Sequence, residues 1–190
     1  MRAAIVLCAT AACASAGGDL VDSGGGSGSG SDASVMPDSA MPIDAFVSQC
    51  PSTDTCAAAT MLGSVSGDTG NQKLTATGYR AAWYRVRVTE DDSSIGGAKL
   101  RVAAKLTSPA AVDFDVFVYV NTGSDVVECN APTGSTTTNG NTDQVKVEWG
   151  EGTISNGNDD DRSVSIEVRP KSGQCMASYT WQLEVEGHYP

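Results

Sequence analysis

Apolar side chains recur at every second position in six separate runs between residues 83 and 185, and that period confines those runs to extended structure. Trp83-Tyr-Arg-Val-Arg-Val88 sets Tyr84, Val86 and Val88 against Arg85 and Arg87. Lys99-Leu-Arg-Val-Ala-Ala-Lys-Leu106 sets Leu100, Val102, Ala104 and Leu106 against Lys99, Arg101 and Lys105. Asp113-Phe-Asp-Val-Phe-Val-Tyr-Val120 places Phe114, Val116, Val118 and Val120 opposite Asp113, Asp115, Phe117 and Tyr119. The pattern returns in Gln144–Trp149, Ser163–Val168 and Tyr179–Val185. Valine outnumbers leucine 19 to 7, a bias that favours strands.

Turn-forming clusters punctuate these runs at Glu90–Gly97, Asn139–Asn141, Asn156–Asp161 and Lys171–Gln174. Shorter strands at Leu74–Thr77 and Val126–Cys129 bring the expected number to about eight. Residues 57–65 are expected to make one helical turn. The predicted fold class is therefore all-β: a two-sheet antiparallel sandwich of jelly-roll or Greek-key type, over residues 50–190.

The first fifty residues have a different composition. Residues 1–12 carry Arg2 and then an uncharged apolar run of about ten residues, the size of a signal-peptide core and too short to span a bilayer. Ala14, Ser15 and Ala16 offer an ordinary cleavage site. Thr10-Ala-Ala-Cys13 resembles a bacterial lipobox, which would make Cys13 the lipidated first residue of the mature chain. Residues 13–49 are rich in Gly, Ser, Asp and Pro, lack an apolar period, and are expected to act as a flexible tether. Some 35 such residues reach roughly 30–35 Å. The expectation is an exported protein at the cell envelope, held by a lipid anchor, with free secretion as the alternative.

Of six cysteines, Cys8 lies in the leader and Cys13 is the lipidation candidate. Cys50, Cys56, Cys129 and Cys175 remain, and four cysteines in an exported domain imply two bridges. Of three connectivities, Cys50–Cys56 with Cys129–Cys175 is expected, the first closing the short loop CPSTDTC. Zinc does not fit, because no closely spaced Cys pair is accompanied by histidine.

Three segments carry a family likeness: Trp83-Tyr-Arg-Val-Arg-Val88, Asp113-Phe-Asp-Val-Phe-Val-Tyr119 and Tyr179-Thr-Trp-Gln-Leu-Glu-Val185. Over roughly residues 70–187 the chain resembles the bacterial pre-peptidase C-terminal domain, a small jelly-roll sandwich appended to exported bacterial proteins. The resemblance implies the sandwich fold of an accessory-type domain more than any particular role.

Twelve basic against 23 acidic residues give a net charge of −11, which argues against nucleic acid as a partner. The one histidine, His188, lies near the C-terminus, and no G-x-S-x-G elbow accompanies the many serines. Calcium favours several oxygen ligands on bendable loops, so Asp113 and Asp115, together with Asp159, Asp160 and Asp161, are the candidate ligands. Asp113 and Asp115 could alternatively serve a small carbohydrate-active hydrolase. Trp83, Phe117 and Tyr119 share the face opposite the main apolar stripe and could form a platform for sugar rings. The expected function is binding or display at the envelope. Its ligand would be a protein or polysaccharide, with membrane contact through the lipid anchor alone. Membership of a larger surface assembly is a further alternative.

Overall fold

In a computed structural model, residues 50–52, 54–91, 98–136, 140–150 and 159–190 are described. The leader, the tether, Cys8 and Cys13 lie outside them, as does the segment Asn156–Asn158. Among the described residues nine strands form two sheets. They are β1 (Thr60–Ser66), β2 (Lys73–Gly78), β3 (Ala82–Thr89), β4 (Leu100–Thr107), β5 (Asp113–Tyr119), β6 (Gly134–Thr136), β7 (Thr142–Trp149), β8 (Arg162–Ser172) and β9 (Trp181–Gly187). The five-stranded sheet has the order β1-β3-β8-β5-β6 and the four-stranded sheet β2-β9-β4-β7. Successive strands pass from one sheet to the other except between β5 and β6. Among the described residues no helix is long and apolar enough to cross a membrane.

The period-two pattern places the core where the sequence expects it. Val86 and Val88 of β3, Val164, Ile166 and Val168 of β8, and Phe114, Val116 and Val118 of β5 face the opposing sheet. That sheet contributes Leu100, Val102, Ala104 and Leu106 of β4, Val145, Val147 and Trp149 of β7, and Trp181, Leu183 and Val185 of β9. Each such large side chain is worth roughly 1.5–3 kcal/mol when removed from water. Trp181 is the largest of those fully buried. Its indole meets Tyr84 and Phe114 edge-on at 6.0 and 6.4 Å, and Nε1 donates to the Arg80 carbonyl at 3.0 Å. The ring lies so close to Gly78 of β2 that any side chain there would collide with it.

Two elements differ from expectation. The one helical turn expected in residues 57–65 is a 3-10 turn at its very start, Cys56–Ala58, and the rest of the segment instead enters β1, which pairs in parallel with β3. The parallel pair arises because β2 crosses to the other sheet before the chain returns as β3, so the fold is not purely antiparallel. Gly63, at φ +130, accompanies the register shift between Met61 and Gly63 in that pair. Val126–Cys129 is not a strand. The Glu128 carboxylate accepts the N–H groups of Cys129, Asn130 and Ala131, at 2.8, 2.6 and 3.3 Å. These donors bend the chain into a turn and are lost to a ladder. Val126 and Val127 stay exposed.

The disulfides join Cys50 to Cys175 and Cys56 to Cys129, with Cα separations of 5.4 and 5.9 Å. This corrects the expected pairing of sequence neighbours. Thr55, just before Cys56, is extended, at φ −123 and ψ 165. Each of the two cysteines instead meets a different loop. One bridge reaches the β8–β9 connection and the other the β5–β6 connection. The segment before β1 is thereby pinned against β3, where Asp54 Oδ1 accepts the Trp83 N–H at 3.1 Å and Arg85 Nη2 donates to the Cys56 carbonyl at 2.6 Å. The β5–β6 loop is tied to the same face through Arg87, whose Nη1 lies 2.6 Å from Asp125 Oδ2.

Candidate functional site

The outer face of the five-stranded sheet gathers the predicted aromatics. Trp83 of β3 and Phe117 of β5 both lie opposite Glu167 of the intervening β8. Trp83 and Tyr119 approach to 5.1 Å between ring centroids, and the Arg169 guanidinium lies 4.1 Å over the Phe117 ring. Tyr119 Oη donates to Glu167 Oε2 at 2.7 Å, and Arg169 donates to both Glu167 oxygens, at 3.2 and 2.7 Å. Burial, and then the Glu167 hydrogen bond, push the Tyr119 phenol well above its ordinary range. Trp83 is half-buried, while Phe117 and Tyr119 are buried. The rings come together as a packed, charge-capped cluster and not as three exposed faces, with Arg169 over Phe117 and Trp83 against Tyr119.

The five predicted calcium ligands fall into two groups at opposite ends of β8. Asp159, Asp160 and Asp161 precede its first residue, whereas Asp113 pairs with its last, Ser172. In the first group Asp160 Oδ1 accepts from Arg162 Nη2 at 3.0 Å, both side chains being buried, and its carbonyl accepts Trp149 Nε1 at 2.8 Å. Asp161 receives the Glu90 N–H at 2.7 Å and pairs with Arg87 at 3.3 Å. Asp159 Oδ1 accepts the Asp161 N–H at 2.9 Å. These oxygens hold the entrance to β8 in place and do not converge on a common point.

The second group does converge. Asp113 and Asp115 share a face of β5, next to a register shift against β8 where Pro170 stands opposite Phe114. Such bulges re-aim side chains. Asp143, the second residue of β7, joins them, and all three carboxylates present oxygens within 4.8 Å of one another. Thr136 Oγ1 of β6 donates to Asp143 Oδ1 at 2.8 Å. Lys171 Nζ lies 3.7 Å from Asp113 and 3.9 Å from Asp115. Burial is the chief reason that the Asp115 carboxyl is raised above its usual range. Lys171 opposes the shift, Asp143 and Asp113 add to it, and Arg169 also opposes it. An open depression of about 390 Å³, lined by Asp113, Asn141 and Ser172 among others, adjoins the group.

Asp143 was not among the residues singled out from sequence, yet it leaves a signal there. Counting back by twos from Trp149 through Val147 and Val145 reaches position 143, so an acid occupies an inward-facing place in a strand. Lys171 and Thr136 carry no such mark. The C-terminal His188 is held by its N–H to the Arg101 carbonyl at 3.0 Å, at φ +45. On the outer face of the four-stranded sheet, Thr75, Thr77, Lys105, Thr107, Gln182 and Glu184 line a shallow depression of about 350 Å³.

No family model and no curated protein matches the chain. Among solved structures it is similar to an insecticidal delta-endotoxin, Cry8Ea1, from Bacillus thuringiensis. The identity is 17% and the TM-score 0.31, over 60% of this chain and 19% of the toxin chain. At that level the likeness carries no functional meaning.

Proposed function

We propose that this chain is an exported, lipid-anchored accessory module of the bacterial envelope, akin to the pre-peptidase C-terminal domain, that binds a protein or polysaccharide without catalysis. The observation that carries the reading is the pair of long-range bridges, with sequence separations of 125 and 73. Bridges of this kind persist in oxidising compartments outside the cytoplasm. The apolar leader and the lipobox-like Cys13 support the same address. The polar depression on the four-stranded sheet supplies hydroxyls, an amide and charges of both signs, the groups that recognise hydroxylated or peptide ligands. A hard cation such as calcium, available outside the cell, would support the fold. Asp113 and Asp115 crowd about Lys171 together with Asp143 instead of flanking a sugar-sized gap, which favours a structural over a hydrolytic use of them.

Expression of the full gene product in a bacterial host tests the reading. The expected result is an envelope-associated chain whose N-terminal peptide begins at a diacylglyceryl-modified Cys13, and which is retained on peptidoglycan or polysaccharide in a manner weakened by Gln182→Ala. A cytoplasmic chain with reduced thiols would overturn it. A soluble product beginning at Gly17 would replace the anchor by free secretion.

A further inference from the structure

We propose that Asp113, Asp115 and Asp143 form a binding site for one hard divalent cation, calcium in an extracellular medium. The three carboxylates come from two strands of opposing sheets and bring their oxygens within 4.8 Å of one another, the spacing of ligands around a single ion. Proximity of acids alone would not make a site, but Asp115 adds a separate observation. It is only 7% exposed, its Oδ1 is fully enclosed, and it accepts no hydrogen bond. The nearest cation, Lys171 Nζ, stands 3.9 Å from it, beyond hydrogen-bond reach. Asp113 Oδ1 is likewise enclosed and takes no hydrogen bond.

A buried carboxylate in this condition carries a large cost unless a charge compensates it. Lys171 and, more weakly, Arg169 act on Asp115 from a distance, and a divalent ion would supply the direct ligand that its enclosed oxygen lacks. The donor set is all oxygen, with no imidazole or thiolate, which selects calcium or magnesium over the softer transition metals. Ligands from two sheets at unequal depths suit the adaptable shell of calcium better than the strict octahedron of magnesium. The adjoining depression admits water, and Asn141 and Ser172 on its wall offer further oxygens. The site would clamp β5 to β7 at one edge of the sandwich, and Lys171 would limit its affinity.

The inference deepens the structural cation of the proposed function by assigning its ligands, and it rests on that reading only for the extracellular supply of the ion. Titration of the purified chain is indifferent to where the chain resides, so either can fail without the other. The full mature chain, stripped with a chelator, is titrated calorimetrically with calcium chloride and, separately, with magnesium chloride. One calcium per chain is expected, in the range of about 10⁻⁴–10⁻³ M typical of extracellular modules, and magnesium is expected to bind more weakly. Asp115→Asn and Asp143→Asn should each weaken calcium by ~10-fold or more, and Asp159→Asn, at the far end of β8, should leave it unchanged. Lys171→Met removes the competing ammonium and should tighten calcium by ~3–10-fold, an effect no purely structural role of the acids produces. Absence of binding at about ten times that range would overturn the proposal, as would binding indifferent to Asp115→Asn or not tightened by Lys171→Met. Should Asp143→Asn fail to fold, the wild-type and Lys171→Met titrations still decide.

Discussion

A single carboxyl, Asp115, adds a pH dependence of its own to one edge of the sandwich. Its folded-state affinity for a proton is raised, chiefly by burial, with Asp143 and Asp113 adding to the effect and Lys171 and Arg169 opposing it. A group raised in this way contributes stability that is complete below its ordinary range and is lost as pH climbs through the folded value. Other acids act with the opposite sign. Asp125, held down by its hydrogen bond from Arg87, contributes stability that is lost as pH falls. The difference between wild type and Asp115→Asn isolates the first effect. In chelator, urea unfolding should show the two equally stable near pH 3, with the Asn variant gaining as pH rises to 7. A wild type that is the more stable at pH 7 would contradict the assignment.

Among the elements, β9 depends most on a neighbour that a local reading does not supply. Its Trp181 enters the core beneath β2, and it fits because position 78 has no side chain. Tyr84 and Phe114 flank the ring edge-on. Gly78→Ala should therefore destabilise the domain by about 1–3 kcal/mol in urea unfolding, the usual cost of overpacking. A loss below about 0.5 kcal/mol would mean that the β2–β9 approach is looser than described. β5 shows the same dependence in another form. Its alternation marks one buried face, yet every residue from Phe114 to Tyr119 is buried. On the second face Arg169 lies over Phe117 and Trp83 packs against Tyr119, neither of them adjacent to β5 in sequence.

For the molecule as a whole, the two bridges tie one short segment before β1 to two distant loops. Non-reducing peptide mapping should recover Cys50 linked to Cys175 and Cys56 linked to Cys129. Cys175→Ser should cost about 2–5 kcal/mol, because the lost link closes a long loop in the unfolded chain. Recovery of a Cys50–Cys56 peptide would refute the connectivity. The extended character of the chain, the inward set of valines and leucines and the presence of two bridges were all legible from sequence. Side-chain alternation is a local property of extended backbone, and an even set of cysteines can be expected to pair in an oxidising compartment whatever the fold. Which cysteines meet, which acids converge and which second faces are covered depend on residues brought together across the sheets. Asp143 joins Asp113 and Asp115 only because β7 and β5 meet at one edge of the sandwich, while Asp159, Asp160 and Asp161 are separated from them by the length of β8. Distances of that kind are set by strand order and register, which a one-dimensional pattern does not contain.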